Sequence, residues 1–174
     1  RRINSIRNFL TTDAVKTLVC SLVLSRVDYC NSLLAGLPQC HLKKIQYVQN
    51  AAARLIFRAP KSDHVSPLLQ KLHWLPIHCR IEHKISSLCY NSLSGIGPQY
   101  LSDLTQVYTS CRCLRSSSDT RILKIPKVKT KSYGQRSFAY QGPIIWNKLP
   151  LEIRHQGKID GLKQALKTYL FRFQ

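Results

Sequence analysis

Apolar residues at spacings of three and four limit this chain more than any other feature. Leu42, Ile45, Val48, Ala52, Leu55 and Ile56 make one helical stripe, with Lys43, Lys44, Gln46, Gln49 and Asn50 on the other face. Comparable stripes lie on either side. Val15, Leu18, Val19, Leu22 and Val23 follow Thr11-Thr12-Asp13, residues that suit a helix N-cap. Ile77, Ile81, Ile85, Leu88 and Cys89 follow Pro76, and Leu162, Leu166, Tyr169, Leu170 and Phe173 stand near the end. Such spacing puts side chains on a common face only in a helix. The chain therefore reads as mainly α, an irregular helical bundle.

Proline and glycine mark the breaks. A short helix is expected from Arg2 to Phe9, then a long one to about Ser25 that continues, bent, through Leu34 until Gly36 stops it. Pro38 opens the next helix, and Pro60, Asp63 and Pro67 mark a loop before a short helix through Leu68, Leu69 and Leu72. The helix after Pro76 ends at Gly95 and Gly97, and Pro98 to Leu104 forms one more short helix. Beyond Leu104 the pattern weakens. Arg121 to Ile125 alternates as a strand does, Pro126 interrupts, and Val128 to Tyr133 is its expected partner, so a basic loop or small β-ribbon is expected near residues 121–133. A helix from Gln135 to Tyr140, a short element opened by Pro143 and ending at Pro150, and a last helix from Ile159 to Phe173 follow. This gives a helical domain over 1–105, a basic loop or ribbon over 106–136 and a C-terminal helical extension over 137–174.

Charge then narrows the function. Lys and Arg number 27 against 8 Asp and Glu, a formal net charge of +19 in 174 residues. Self-repulsion on that scale points to a polyanionic partner, nucleic acid first and an anionic membrane surface second. The helices lack a strongly basic amphipathic face, and no apolar run approaches the roughly 20 residues needed to span a bilayer. No membrane partner is expected. Residues 1–105 carry 13 basic and 5 acidic side chains, and residues 106–174 carry 14 and 3. Arg112, Arg115, Arg121, Lys124, Lys127, Lys129, Lys131 and Arg136 are interleaved with serines and threonines, and Asp119 is the one acid among them. Guanidinium, ammonium and hydroxyl groups together are what phosphate contacts use. Lys127, Lys129 and Lys131 would share a face of an extended strand. Arg2, Arg7, Lys43, Lys44 and Arg54 offer a second, helical surface. Tyr133, Phe138, Tyr140 and Trp146 follow the basic tract, where packing in a core is the expected role and stacking on unpaired bases the lesser one.

Catalysis and metal binding find little support. The eight carboxylates include no Asp-Asp or Asp-x-Asp pair, and there is no glycine-rich phosphate loop and no nucleophile elbow. His73, His78, Cys79, His83 and Cys89 fall close together, but Cys111 and Cys113 are spaced unlike a zinc knuckle and no second cysteine pair completes a set. Cys30 has His41 and His73 as conceivable partners, yet burial is the expected state of this thiol. Seven cysteines and no secretory signal point to a reducing, intracellular setting, nucleus or cytoplasm. No cofactor is expected. The absence of any Met fits a piece of a longer protein.

Six strings, in this order, carry a resemblance. They are Ser25-Arg26-Val27-Asp28-Tyr29-Cys30-Asn31-Ser32-Leu33-Leu34, then Val48-Gln49-Asn50-Ala51-Ala52-Ala53-Arg54-Leu55. Leu72-His73-Trp74-Leu75-Pro76 with Arg80-Ile81 follows, then Leu114-Arg115-Ser116-Ser117. Tyr133-Gly134 with Phe138 comes next, and Trp146-Asn147-Lys148-Leu149-Pro150 with Ile153-Arg154 closes the series. The set resembles the C-terminal region of reverse transcriptases from LINE-type (non-LTR) retrotransposons of the chicken-repeat and jockey-like kind. The resemblance implies a thumb-like helical domain and a C-terminal extension. These would hold element RNA, target DNA or an RNA–DNA hybrid beside the palm of a parent RNA-directed DNA polymerase. The polymerase and endonuclease residues of that family are absent here, as is the Cys-His zinc motif of some of its members. His78 and His83 stand where other residue types are expected. The expectation is thus a nucleic-acid-binding, non-catalytic segment. The alternative is a domesticated or decayed remnant acting as a helical protein-interaction module through an exposed stripe on the Leu162–Phe173 helix.

Overall fold

The computed structural model describes residues 2–108 and 121–172, and the chain divides into two compact units, Arg1–Arg80 and Ile81–Phe173. That division follows packing, whereas the one expected near residue 105 follows composition. The described residues are mainly helical.

In the first unit, helix α1 (Arg2–Ile6) passes into a single 3-10 turn over Arg7–Phe9. Thr11 is extended, and its hydroxyl accepts the Ala14 N–H at 3.3 Å to start α2 (Thr12–Val19). The bend expected further on is a widened π-type turn at Cys20–Leu24, where the Ser25 N–H reaches back to Cys20 O, followed by α3 (Ser25–Asp28). The chain reverses at Cys30 (φ +52°), makes a 3-10 turn over Asn31–Leu34, and turns again at Gly36 (φ +70°). Pro38 precedes the long α4 (Gln39–Phe57), and Pro67 sits in the first turn of α5 (Ser66–Lys71). Val15, Val19 and Leu24 pack with Ala52, Ala53 and Ile56 of α4 and with Leu69, Leu72 and Trp74. The two alanines let α4 lie close against α2.

A polar joint completes this unit. Leu75 O accepts Gln49 Nε2–H and Arg80 Nε–H, both at 2.8 Å, and Gln46 Oε1 accepts the Ile77 N–H at 2.9 Å. Ile77 opens α6 (Ile77–Leu93), so Gln46 takes up one of the donors that a helix N-terminus leaves unpaired. Arg80 also pairs with Asp28 of α3 at 2.6 Å. The first three strings of the sequence thus meet through hydrogen bonds.

The second unit holds α6 from Ile81 onward, α7 (Gln99–Leu104), α8 (Phe138–Asn147), α9 (Leu151–Arg154) and α10 (Ile159–Phe171). Trp146, Leu149 and Ile153 are buried, as are Leu162, Leu166 and Leu170 of α10. Of the expected stripe on α10, Leu162, Leu166 and Leu170 face inward, Tyr169 is half-buried, and Phe173 lies outside the described residues.

Two expectations fail here. The described residues contain no β-ribbon. Leu123 makes a single antiparallel bridge, and its partner is Val107 instead of a residue in 128–133. The cause is Asn147, whose side-chain amide accepts the Leu123 N–H at 2.9 Å and donates to Leu123 O at 2.8 Å, as a neighbouring strand would. Pro143 does not open a new element but lies inside α8. A residue before proline normally avoids helical backbone because its Cβ meets the ring, and Gly142 has no Cβ. The same lack admits the Cys89 thiol, since a Cβ at Gly142 would lie 3.1 Å from that sulfur.

Candidate nucleic-acid interface

The basic segment that follows Arg121 runs without an acid from Arg121 to Leu151. Lys124, Lys127, Lys129, Lys131 and Arg136 are all exposed. Lys127 and Lys129 flank a half-buried Val128, so the backbone is held while both ammonium groups reach water. The turn beyond is closed by Thr130. Its hydroxyl accepts the Gly134 N–H at 2.9 Å and its carbonyl accepts the Gln135 N–H at 3.1 Å. Gly134 is required there, because a Cβ would fall 2.9 Å from Val128 Cβ. Gln141 of α8 donates to Gln135 O at 2.7 Å and ties the turn to that helix.

Tyr133 tops this turn with 84% of its surface exposed, while Trp146 is wholly buried and donates Nε1–H to Arg121 O at 2.7 Å. Phe138 and Tyr140 are half-buried. Of the four aromatic candidates, Tyr133 alone stands in solvent among cations. Arg121 is different from the lysines: its guanidinium donates to Arg154 O at 2.8 Å. Arg112, Arg115 and the Arg2 side chain lie outside the described residues.

The helical surface of the first unit divides in the same way. Lys43 and Lys44 are exposed on α4. Arg54 is half-buried and donates to Asp63 O at 3.0 Å. Arg7 is no surface residue at all. It is 6% exposed, and its guanidinium donates to Leu55 O at 3.0 Å, Ile56 O at 2.8 Å and Leu10 O at 2.9 Å. A cation placed on the last carbonyls of α4 also opposes the negative end of the helix. Arg58 and Lys61, which the sequence reading passed over, line a cleft of about 1350 Å³ with Arg54. Their signal was present, since Arg54 and Arg58 are one helical turn apart.

No group of three or more His, Cys, Asp or Glu able to hold a metal gathers among the described residues. Cys79 and Cys89 are buried, and burial pushes the Cys89 thiol up to about 12. The expectation that Cys30 is buried is corrected: it is exposed, as is Cys40, because the left-handed turn at Cys30 brings the chain to the surface. His83 is held below its ordinary value first by burial; the hydrogen bond to the Lys163 carbonyl works the other way, and the charges of Lys163, Lys167 and Lys84 lower it further. Among the described residues no helix is long and apolar enough to cross a membrane.

Comparison with known protein families, with curated proteins and with solved structures gives no match for this chain.

Proposed function

We propose that this chain holds nucleic acid as the thumb-like and C-terminal part of a LINE-type RNA-directed DNA polymerase, gripping template RNA or target DNA for chemistry carried out elsewhere in a parent protein. The observation that carries this reading is the acid-free run of exposed cations, Lys124, Lys127, Lys129, Lys131 and Arg136, on a tethered turn in a chain of net charge +19. Exposed ammonium groups closely spaced along a stretch with no acid in its sequence suit contact with successive phosphates. The six ordered strings supply the family context. In the first unit, Gln49, Leu75 with Arg80, and Asp28, from three of them, are joined by hydrogen bonds and an ion pair, as expected of residues that define a fold. An exposed α10 stripe would suit a protein-interaction module, and three of its residues, Leu162, Leu166 and Leu170, are buried.

The test is binding of single-stranded RNA, duplex DNA and RNA–DNA hybrid by the 174-residue chain at several salt concentrations. Changing Lys127, Lys129 and Lys131 to Glu is expected to weaken binding by more than about ten-fold at low salt. Affinity that does not change with salt, or that survives the triple change, rules the proposal out.

A further inference from the structure

We propose that the cleft between α3 and the first half of α4 seats an unpaired nucleotide, with Tyr29 as the stacking residue and Arg26 and Lys44 as the phosphate contacts. This rests on the nucleic-acid reading above and adds a site and a strand type to it. The cleft measures about 620 Å³ and lies wholly within the first unit. That is the size of ordinary small-ligand sites, roughly 300–1,000 Å³. Its apolar lining includes Leu33, Ile45 and Val48, and Tyr29 stands at it with 81% of its surface exposed.

Charge decides what such a cleft can take. Arg26 and Lys44 both line it, both are exposed, and neither has an ion pair among the described residues. No acid lines it. The nearest carboxylate in sequence, Asp28, is bound to Arg80 at 2.6 Å. A matching ligand carries negative charge beside a flat apolar face, and a nucleotide has both. Bases in a duplex show their faces only at the ends, so the strand here is unpaired.

The backbone on either side of Tyr29 is fixed by main-chain hydrogen bonds. Tyr29 N–H donates to Ser25 O at 3.0 Å, and Leu33 N–H donates to Cys30 O at 3.0 Å across the left-handed Cys30. Tyr29 lines the cleft and is exposed, so its ring is open to an incoming base.

The experiment uses the 174-residue chain with a twelve-nucleotide oligouridine and a blunt duplex of equal phosphate number. Tyr29→Ala is expected to weaken oligouridine binding about ten-fold, with duplex binding unchanged and Tyr29→Phe close to wild type. Because the ring is exposed, its removal leaves the fold intact, which thermal unfolding checks. If wild type binds oligouridine and Tyr29→Ala binds it equally, the cleft proposal is overturned and the interface reading stands. If wild type binds neither probe, the interface reading falls and takes this one with it. Displacement of oligouridine by polyglutamate alone, or a dimer that Tyr29→Ala dissociates, assigns the cleft to a protein surface and also overturns the proposal.

Discussion

The Arg7 guanidinium meets three main-chain carbonyls, at Leu55, Ile56 and Leu10, inside the first unit. Arg7→Ala leaves buried carbonyls at the end of α4 without a donor, at about 1–3 kcal/mol each for the worst placed. A net loss of about 3 kcal/mol in urea unfolding is expected. Arg7→Lys should recover less than half of it, since a single ammonium cannot span the three oxygens as the planar fork does. Spacing along the chain placed Arg7 correctly on a short helix, but nothing in the sequence tells whether an arginine head ends in water or on a carbonyl. The lysines in 127–131 were legible because they alternate with Val128 and Thr130 in an acid-free run, which puts the apolar residue inward and the ammonium groups outward. His83 adds a pH-dependent contribution. Its Nε2 lies 3.3 Å from Lys163 O, so the neutral ring donates there, and burial beside Lys163, Lys167 and Lys84 disfavours the charged form. With the folded value below the unfolded one, the unfolded chain binds the extra proton first, and stability falls as pH drops through and below 6.5. Thermal unfolding of His83→Gln should lose less stability than wild type between neutral pH and pH 5.

Helix α8 is the element where local rules and tertiary packing diverge. Pro143 reads as a helix opener because proline is common at a first turn and breaks an interior. Here Gly142 removes the clash before the ring, and the close approach of Cys89 to that glycine repays the lost hydrogen bond with packing. Gly142→Ala gains intrinsic helix propensity of about 1 kcal/mol, but it drives a methyl against the Cys89 sulfur and restores the pre-proline clash. The balance is a destabilisation of about 1–2 kcal/mol, read from the urea midpoint. Asn147 explains the missing ribbon in the same terms. The alternation over residues 121–125 was a real signal for extended backbone, since Lys124 N–H does donate to Gln106 O at 2.8 Å. What the sequence hid is that a side-chain amide 24 positions away takes the Leu123 edge. Asn147→Ala should cost about 1–3 kcal/mol and speed hydrogen exchange of the Leu123 amide. Helices α6 and α10 were legible because burial follows the period, whereas on α4 the period misplaced two neighbours: Val48 of the apolar stripe is exposed, and Gln49 of the polar face is buried on Leu75 O.

At the scale of the molecule the charge of +19 is one number covering two populations. Arg7, Arg80, Arg121 and Arg154 are engaged with carbonyls or with Asp28, and their changes should appear in stability. Lys43, Lys44, Lys124, Lys127, Lys129, Lys131 and Arg136 are exposed, and their changes should appear in binding. The salt dependence of affinity separates the two, because it counts the phosphates a protein neutralises and is blind to buried charge that never meets the ligand. Each contact contributes about 0.9 to the slope of log K against log salt on duplex DNA and about 0.7 on a single strand. Changing Lys127, Lys129 and Lys131 to Ala should therefore flatten the slope by about 2.7 on duplex or about 2.1 on single-stranded RNA. Arg7→Lys should leave it unchanged while lowering the unfolding midpoint. A triple variant with the wild-type slope would rule out this turn as the phosphate interface and with it the proposal, whereas a flattened slope on the single strand alone would show that the turn follows an unpaired strand.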